Sequence, residues 1–253
     1  VLFVMVLVIL FLSSIGIQTS YSLISRMNNH NEWNTMKHYS ILSEVSNVEN
    51  SDLFTSQSFL NKQKELYQEF NSLGSLYADF NEYDKETYTN TSMAYVNTNY
   101  LKKQVIQDIH GHTIHISEDE KKRVVLAPHN YSKKKIYKMT QDMFDTPHGI
   151  KIIYYKNNQK FFTYNSLIVS DYSNSITNPV VQVLTNENWS PEDYDVILGY
   201  KYNPYKIKGS QERIHSILKK HDLDQYASKI ITAYDEMSLL NHQEQTLFIA
   251  VIM

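Results

Sequence analysis

The chain contains no cysteine, which excludes disulfides, thiolate zinc sites and cysteine nucleophiles. Glycine and proline are scarce, at 6 and 5 residues of 253; a linker-rich or collagen-like chain would carry far more. No internal repeat is visible. Neither sign of charge dominates: 24 basic residues stand against 27 acidic ones, so no broad basic field exists to draw in nucleic acid. The glycine-rich phosphate loops of the Walker A and GxGxxG types are missing, as are GxSxG and HExxH. These absences exclude nucleotide binding, serine hydrolysis and zinc proteolysis by those routes. What the chain does have is tyrosine in quantity, 20 residues, and an unbroken apolar run at its start.

That run is Val1 to Leu12 (VLFVMVLVILFL), and Ser13-Ser14-Ile15-Gly16-Ile17 carries it to about the shortest length that crosses a bilayer. A soluble core helix keeps a polar face, and none is found before Ser13. A cleaved leader has a basic n-region, but here the first basic residue is Arg26, and Ser14-Ile15-Gly16 is a small-x-small match that makes only a weak cleavage site. The run reads as a retained anchor, ahead of a cleaved leader or a buried helix. Thr246 to Met253 (TLFIAVIM) is apolar too, and too short to cross a bilayer. It reads as the start of a second membrane helix; the alternative is a helix docked on the domain. The expected organisation is a transmembrane helix over 1–25, an extracytoplasmic α+β domain over 26–236, and the start of a second span over 237–253.

Between the ends, Asn28 to Asn34 reads as a loop and His38 to Val48 as a strand. Phe59, Leu66, Phe70, Leu73, Tyr77 and Phe80 recur at helical spacing, with Ser56 or Ser58 as the cap and Gly74 as a weak point. Ala94 to Leu101 reads as a strand or turn. Val105 to Ile116, with a glycine at its centre, reads as a hairpin. A capped helical turn is expected at Ser117 to Lys121, then a buried strand Val124-Val125-Leu126 stopped by Pro128. Ser132 to Phe144 suggests a helix. Ile150 to Tyr155 and Lys160 to Tyr164 suggest a second hairpin across Asn157-Asn158. Leu167 to Val169, Pro179 to Leu184 and Asp195 to Tyr200 follow as strands. Ser210 caps a helix with Ile214, Ile217 and Leu218, and Asp222 opens another through Leu223, Tyr226, Ile230, Tyr234 and Met237. Short strands mixed with a few helices indicate the α+β class.

Few residues invite chemistry. His110 and His112 could share a strand face and converge on a metal beside Asp108, with His115 on the other face. An exposed hairpin tip is the simpler account, and His129 and His148 stand alone. SxxK occurs at Ser132 to Lys135 and Ser216 to Lys219, without the SDN or KTG that would complete it. Asp142, Asp145 and His148 belong to a loop. Lys133-Lys134-Lys135 with Lys138 forms a solvated helix face, or touches anionic lipid or wall polymer. Asn90-Thr91-Ser92 and Asn188-Trp189-Ser190 match glycosylation acceptors by chance. No catalytic residue, cofactor or metal ligand is assigned, and the chain is not expected to be an enzyme.

The stretches Asn99-Tyr100-Leu101, Asp108 to Ile114 and Val124 to Pro128, followed by Ser210 to Ile214 and Ala233-Tyr234-Asp235-Glu236, resemble the bacteriocin-associated integral membrane proteins of Gram-positive bacteria. That family is similar to permeases of the MacB and FtsX type. The resemblance implies a first span, a large outer domain and a bundle of further spans, the last of which this sequence does not include. It implies a cell-membrane location and a role in bacteriocin export or self-immunity. The implied partners are the lipid membrane, the ATPase of an ABC transporter with its further spans, and a bacteriocin peptide. The other reading is a secreted or membrane-anchored binding protein or cell-wall enzyme.

Overall fold

The computed structural model describes residues 29–45, 56–83, 92–141, 148–165, 168, 173–189 and 204–235. These form an α+β fold around one mixed sheet of 8 strands. In chain order the strands are β1 (Tyr39–Val45), β2 (Leu76–Asp79), β3 (Ala94–Asn97), β4 (Arg123–Pro128), β5 (Ile150–Tyr155), β6 (Lys160–Phe162), β7 (Ser175–Thr177), β8 (Val181–Leu184), β9 (Tyr205–Lys208) and β10 (Ala227–Thr232). The helices are α1 (His30–Thr35), α2 (Gln57–Ser72), α3 (Thr98–Lys103), α4 (Lys133–Gln141) and α5 (Gln211–Lys220). The large sheet runs β10-β1-β9-β2-β3-β8-β4-β5, and β6 and β7 pair separately. Neighbours are antiparallel except β3 with β8 and β4 with β5.

Side chains alternate across the sheet, as strand geometry dictates. On one face Ile41, Leu76, Ala78, Ala94, Val96, Val124, Leu126, Val181 and Val183 pack under α1, α3 and the small β6–β7 sheet. Trp33 of α1 meets Phe162 edge-on at 5.3 Å. On the other face Leu42, Tyr77, Leu184, Tyr205 and Ile207 receive α2 and α5. Val125 and Ala127 of the same face receive Ile136 and Met139 of α4. Serines start three of the helices by accepting backbone N–H bonds: Ser56 from Phe59, Ser132 from Lys135 and Ser210 from Arg213.

Several expectations are corrected. α2 ends at Ser72, because Gly74 takes φ +85° and turns the chain back. Tyr77 therefore lies on β2, and Phe80 follows it. Of the stretch expected as a loop, His30 to Asn34 lies on α1, held by the burial of Trp33. Ala94 to Leu101 divides into β3 and the first turn of α3. β5 and β6 do not form a hairpin. Asn158 has φ +67°, and the chain leaves the large sheet there to pair with β7. The helix expected from Asp222 is a short 3-10 turn over Asp224–Tyr226 followed by β10, an edge strand zipped to β1. Gln107 and Thr113 do bridge antiparallel, as the hairpin reading required, with Gly111 at φ +92°. Ser117 to Lys121 is a turn, not a helical one.

The flanking spans expected over 1–25 and 237–253, and the strand expected over Asp195 to Tyr200, lie outside the described residues. Among those residues no helix is long and apolar enough to cross a membrane.

β1 and β10 are antiparallel, with Ser40 opposite Thr232. The chain thus arrives at Tyr39 and departs after Thr232 at the same end of the sheet, one strand spacing (about 5 Å) apart. Lys37 Nζ lies 4.8 Å from the Tyr234 ring, binding the two segments just outside the sheet.

Candidate functional site

At the end of the sheet where the two flanking segments leave, the sequence places polar residues at successive element boundaries. Asn71 ends α2, Asn97 ends β3, Asn99 opens α3, Glu118 lies in the turn before β4 and Asn186 follows β8. Asn71 Nδ2 donates to Glu118 Oε2 (2.9 Å) and Asn186 Oδ1 (3.0 Å). Asn97 Nδ2 donates to Asn71 Oδ1 (3.0 Å) and the Ser75 carbonyl (2.8 Å), while its Oδ1 accepts from the Tyr100 N–H (3.0 Å). Asn99 Nδ2 reaches Asn71 Oδ1 (2.8 Å), the Asn71 backbone carbonyl (2.7 Å) and the Ser75 carbonyl (3.1 Å). Thr98 donates to Glu118, and Lys102 bonds Asn99 Oδ1 at 2.9 Å. The carboxamides of Asn71, Asn97 and Asn99 bond within this network, which pins five segments together.

Asp108 holds the hairpin at the far end of the sheet. Burial pushes its carboxyl up, but N–H donors from His112 (2.9 Å) and His110 (2.8 Å) outweigh this and hold it below the usual carboxylate range. Oδ1 thus holds the turn, and Oδ2 lies 3.5 Å from His112 Nδ1. His110, His112 and His115 are exposed, with the first two rings 6.2 Å apart. No three His or acidic side chains among the described residues are arranged to hold a metal.

His129 and His148 are exposed and separate. Ser132 is the cap of α4, and Lys135 Nζ sits 3.6 Å from the Tyr131 ring, so this SxxK is a capping motif. Ser216 and Lys219 point into solvent from α5. Asn188 is buried, donating to the Val183 carbonyl at 2.9 Å, so its amide is not presented as an acceptor. Asp142, Asp145 and Asn90 lie outside the described residues.

Two constellations escaped the sequence reading. Buried His221, just after α5, bonds Glu69 Oε2 of α2 at 2.8 Å and lies 3.5 Å from Glu65; Lys220 reaches Glu69 at 2.7 Å. The Lys220 hydrogen bond is the main influence holding the Glu69 carboxyl low. Its partners are far apart in sequence, so no local pattern announced it. The second is Asp79 at the end of β2. Burial lifts its carboxyl to about 6, against the pull of the Asn81 N–H at 3.0 Å; Glu82 adds to the rise and Lys206 opposes it. Glu82 accepts from the Met93 N–H at 2.7 Å. Both acids hold backbone, and neither faces a described nucleophile.

The surface feature that stays open is α4 and the strand beside it. Lys133, Lys134, Lys135 and Lys138 are exposed and form no ion pair among the described residues. Compared with protein-family models, curated proteins and solved structures, the chain matches none.

Proposed function

We infer that this chain is the outer domain of a membrane protein held by a helix at each end, and that it transmits between an outer binding event and the membrane rather than catalysing a reaction. One observation carries the reading: the chain arrives and departs on adjacent strands at one end of the sheet, Ser40 opposite Thr232. Two segments leaving about 5 Å apart are spaced to continue into neighbouring helices with axes about 8–10 Å apart. The apolar runs Val1 to Leu12 and Thr246 to Met253 lie outside those two segments. Work in bacteriocin export or self-immunity, beside an ABC-transporter ATPase, rests on the family resemblance alone.

The absence of cysteine makes the test clean. Lys134→Cys and Lys219→Cys each introduce one exposed thiol. Both are expected to react with a membrane-impermeant maleimide in intact cells while the chain resists alkaline extraction. Labelling only after permeabilisation, or release of the chain by alkali, overturns the reading.

A further inference from the structure

We propose that the open edge of β5 is a docking site for an extended acidic peptide segment, which adds to the large sheet as a further strand. The backbone register fixes which groups are offered. Arg123 N–H donates to the Gly149 carbonyl (3.1 Å) and His129 N–H to the Tyr155 carbonyl (3.0 Å). In a parallel ladder the odd-numbered residues 149–155 therefore turn their polar groups toward β4, and the even-numbered ones turn theirs outward. The N–H and C=O of Ile150 and Ile152 meet no partner there among the described residues. A half-exposed apolar edge that is unpaired among the described residues is a template for another strand.

Part of that template is already in use. Asp108 bridges Tyr155 antiparallel, and Lys156 N–H donates to the Gln107 carbonyl at 3.2 Å. The chain's own hairpin thus covers the last rung of β5 and leaves the rest, so an incoming strand would continue from that stub toward Ile150.

Charge selects the occupant. The side chains of Ile150, Ile152 and Tyr154 pack on the α4 side of the sheet, and α4 carries the exposed Lys133, Lys134, Lys135 and Lys138, none with a carboxylate partner among the described residues, and no acidic residue in its first turn. A strand laid on β5 sends alternate side chains toward that helix. Carboxylates there meet lysines, and lysines there would be repelled. Main-chain bonds supply affinity and alternate side chains supply selection, as in other strand-addition sites. The inference does not depend on the membrane reading.

The test uses the full chain in mild detergent with three short fluorescent peptides: alternating valine and glutamate, alternating valine and lysine, and the glutamate peptide N-methylated at alternate residues. The acidic peptide is expected to bind and to slow hydrogen exchange at Ile150 and Ile152 by about tenfold or more. The lysine and N-methylated peptides are expected not to bind. Ile152→Pro removes one outward N–H and leaves the β4 ladder intact, since proline is tolerated at such edge positions; it should abolish binding while β4 amides keep their protection. The proposal fails if the acidic peptide does not bind up to about 1 mM. It also fails if the N-methylated peptide binds as well, if exchange at Ile150 and Ile152 is unmoved, or if those amides are protected by self-association of the chain without peptide.

Discussion

Replacing Asp79 with asparagine should stabilise the protein at neutral pH and have no effect in acid. The side chain sits at the end of β2 with its carboxyl raised from 3.8 to about 6, chiefly by burial. Below pH 3.8 the folded and unfolded chains both hold the proton. Between there and about 6 the folded chain keeps a proton that the unfolded chain has released, so stability falls as pH rises. Above the folded value the full cost is present. A shift of about two units at ~1.4 kcal/mol each gives about 3 kcal/mol as a ceiling, and water reaching the partly exposed side chain reduces this to about 2 kcal/mol. Asparagine carries no charge and still offers an oxygen to the Asn81 N–H. Urea unfolding followed by tryptophan fluorescence reads the change, because Trp33 and Trp189 are buried on opposite faces of the sheet. With m of about 2 kcal/mol/M, the midpoint should rise by about 1 M at pH 7.5 and coincide with the parent at pH 3.5. No gain at pH 7.5, or an equal gain at both, would refute the claim that a buried charge is the cause.

Three further outcomes are expected from the same assay. Asn97→Ala removes the cap of α3 and leaves Asn99 Nδ2 as the donor to Asn71 Oδ1 and the Ser75 carbonyl, and should cost about 1–2 kcal/mol. Gly74→Ala forces a Cβ onto a residue at φ +85° and should cost about 1–2 kcal/mol, although the nearest atom, Lys208 Cδ at 3.5 Å, leaves room for it. Glu69→Gln should cost up to about 1 kcal/mol near neutrality. Because the folded Glu69 carboxyl is held low, its contribution is present above the unfolded value near 4.5 and disappears as pH falls through the folded one, a trend opposite in sign to that of Asp79.

The α+β class was legible because its signals are local. Ser56 and Ser210 cap helices where a hydroxyl precedes an apolar stripe, and Val124-Val125-Leu126 is apolar throughout because β4 is buried on both faces. The errors came where local spacing is ambiguous. Leu73, Tyr77 and Phe80 continue a helical period, yet one positive-φ glycine converts that period into a strand whose Tyr77 faces α2 while Phe80 joins the opposite cluster. Leu223, Tyr226 and Ile230 are spaced as on a helix, but the β-branched run Ile230-Ile231-Thr232 pairs with β1 from the far end of the chain, and no local pattern encodes that partner. The same holds for the polar network: Asn97-Thr98-Asn99 lies in a stretch that reads as a strand or turn, and nothing local shows that Asn71 and Glu118 meet it from other elements. The strand β5 was legible as one arm of an expected hairpin, but its true neighbour, β4, was not, since the pairing joins elements from different parts of the chain.

The pairing of β1 with β10 also has a mechanical meaning. Its two strands are gripped from the same end, so tension that separates the flanking segments acts on Ser40 and Thr232 first and peels the ladder rung by rung. Gripped from opposite ends, all its hydrogen bonds would share the load at once. The edge is thus soft along the direction in which two diverging helices would pull it. The Lys37–Tyr234 contact is the first thing such a pull would part, and the core beneath the other strands would feel it last.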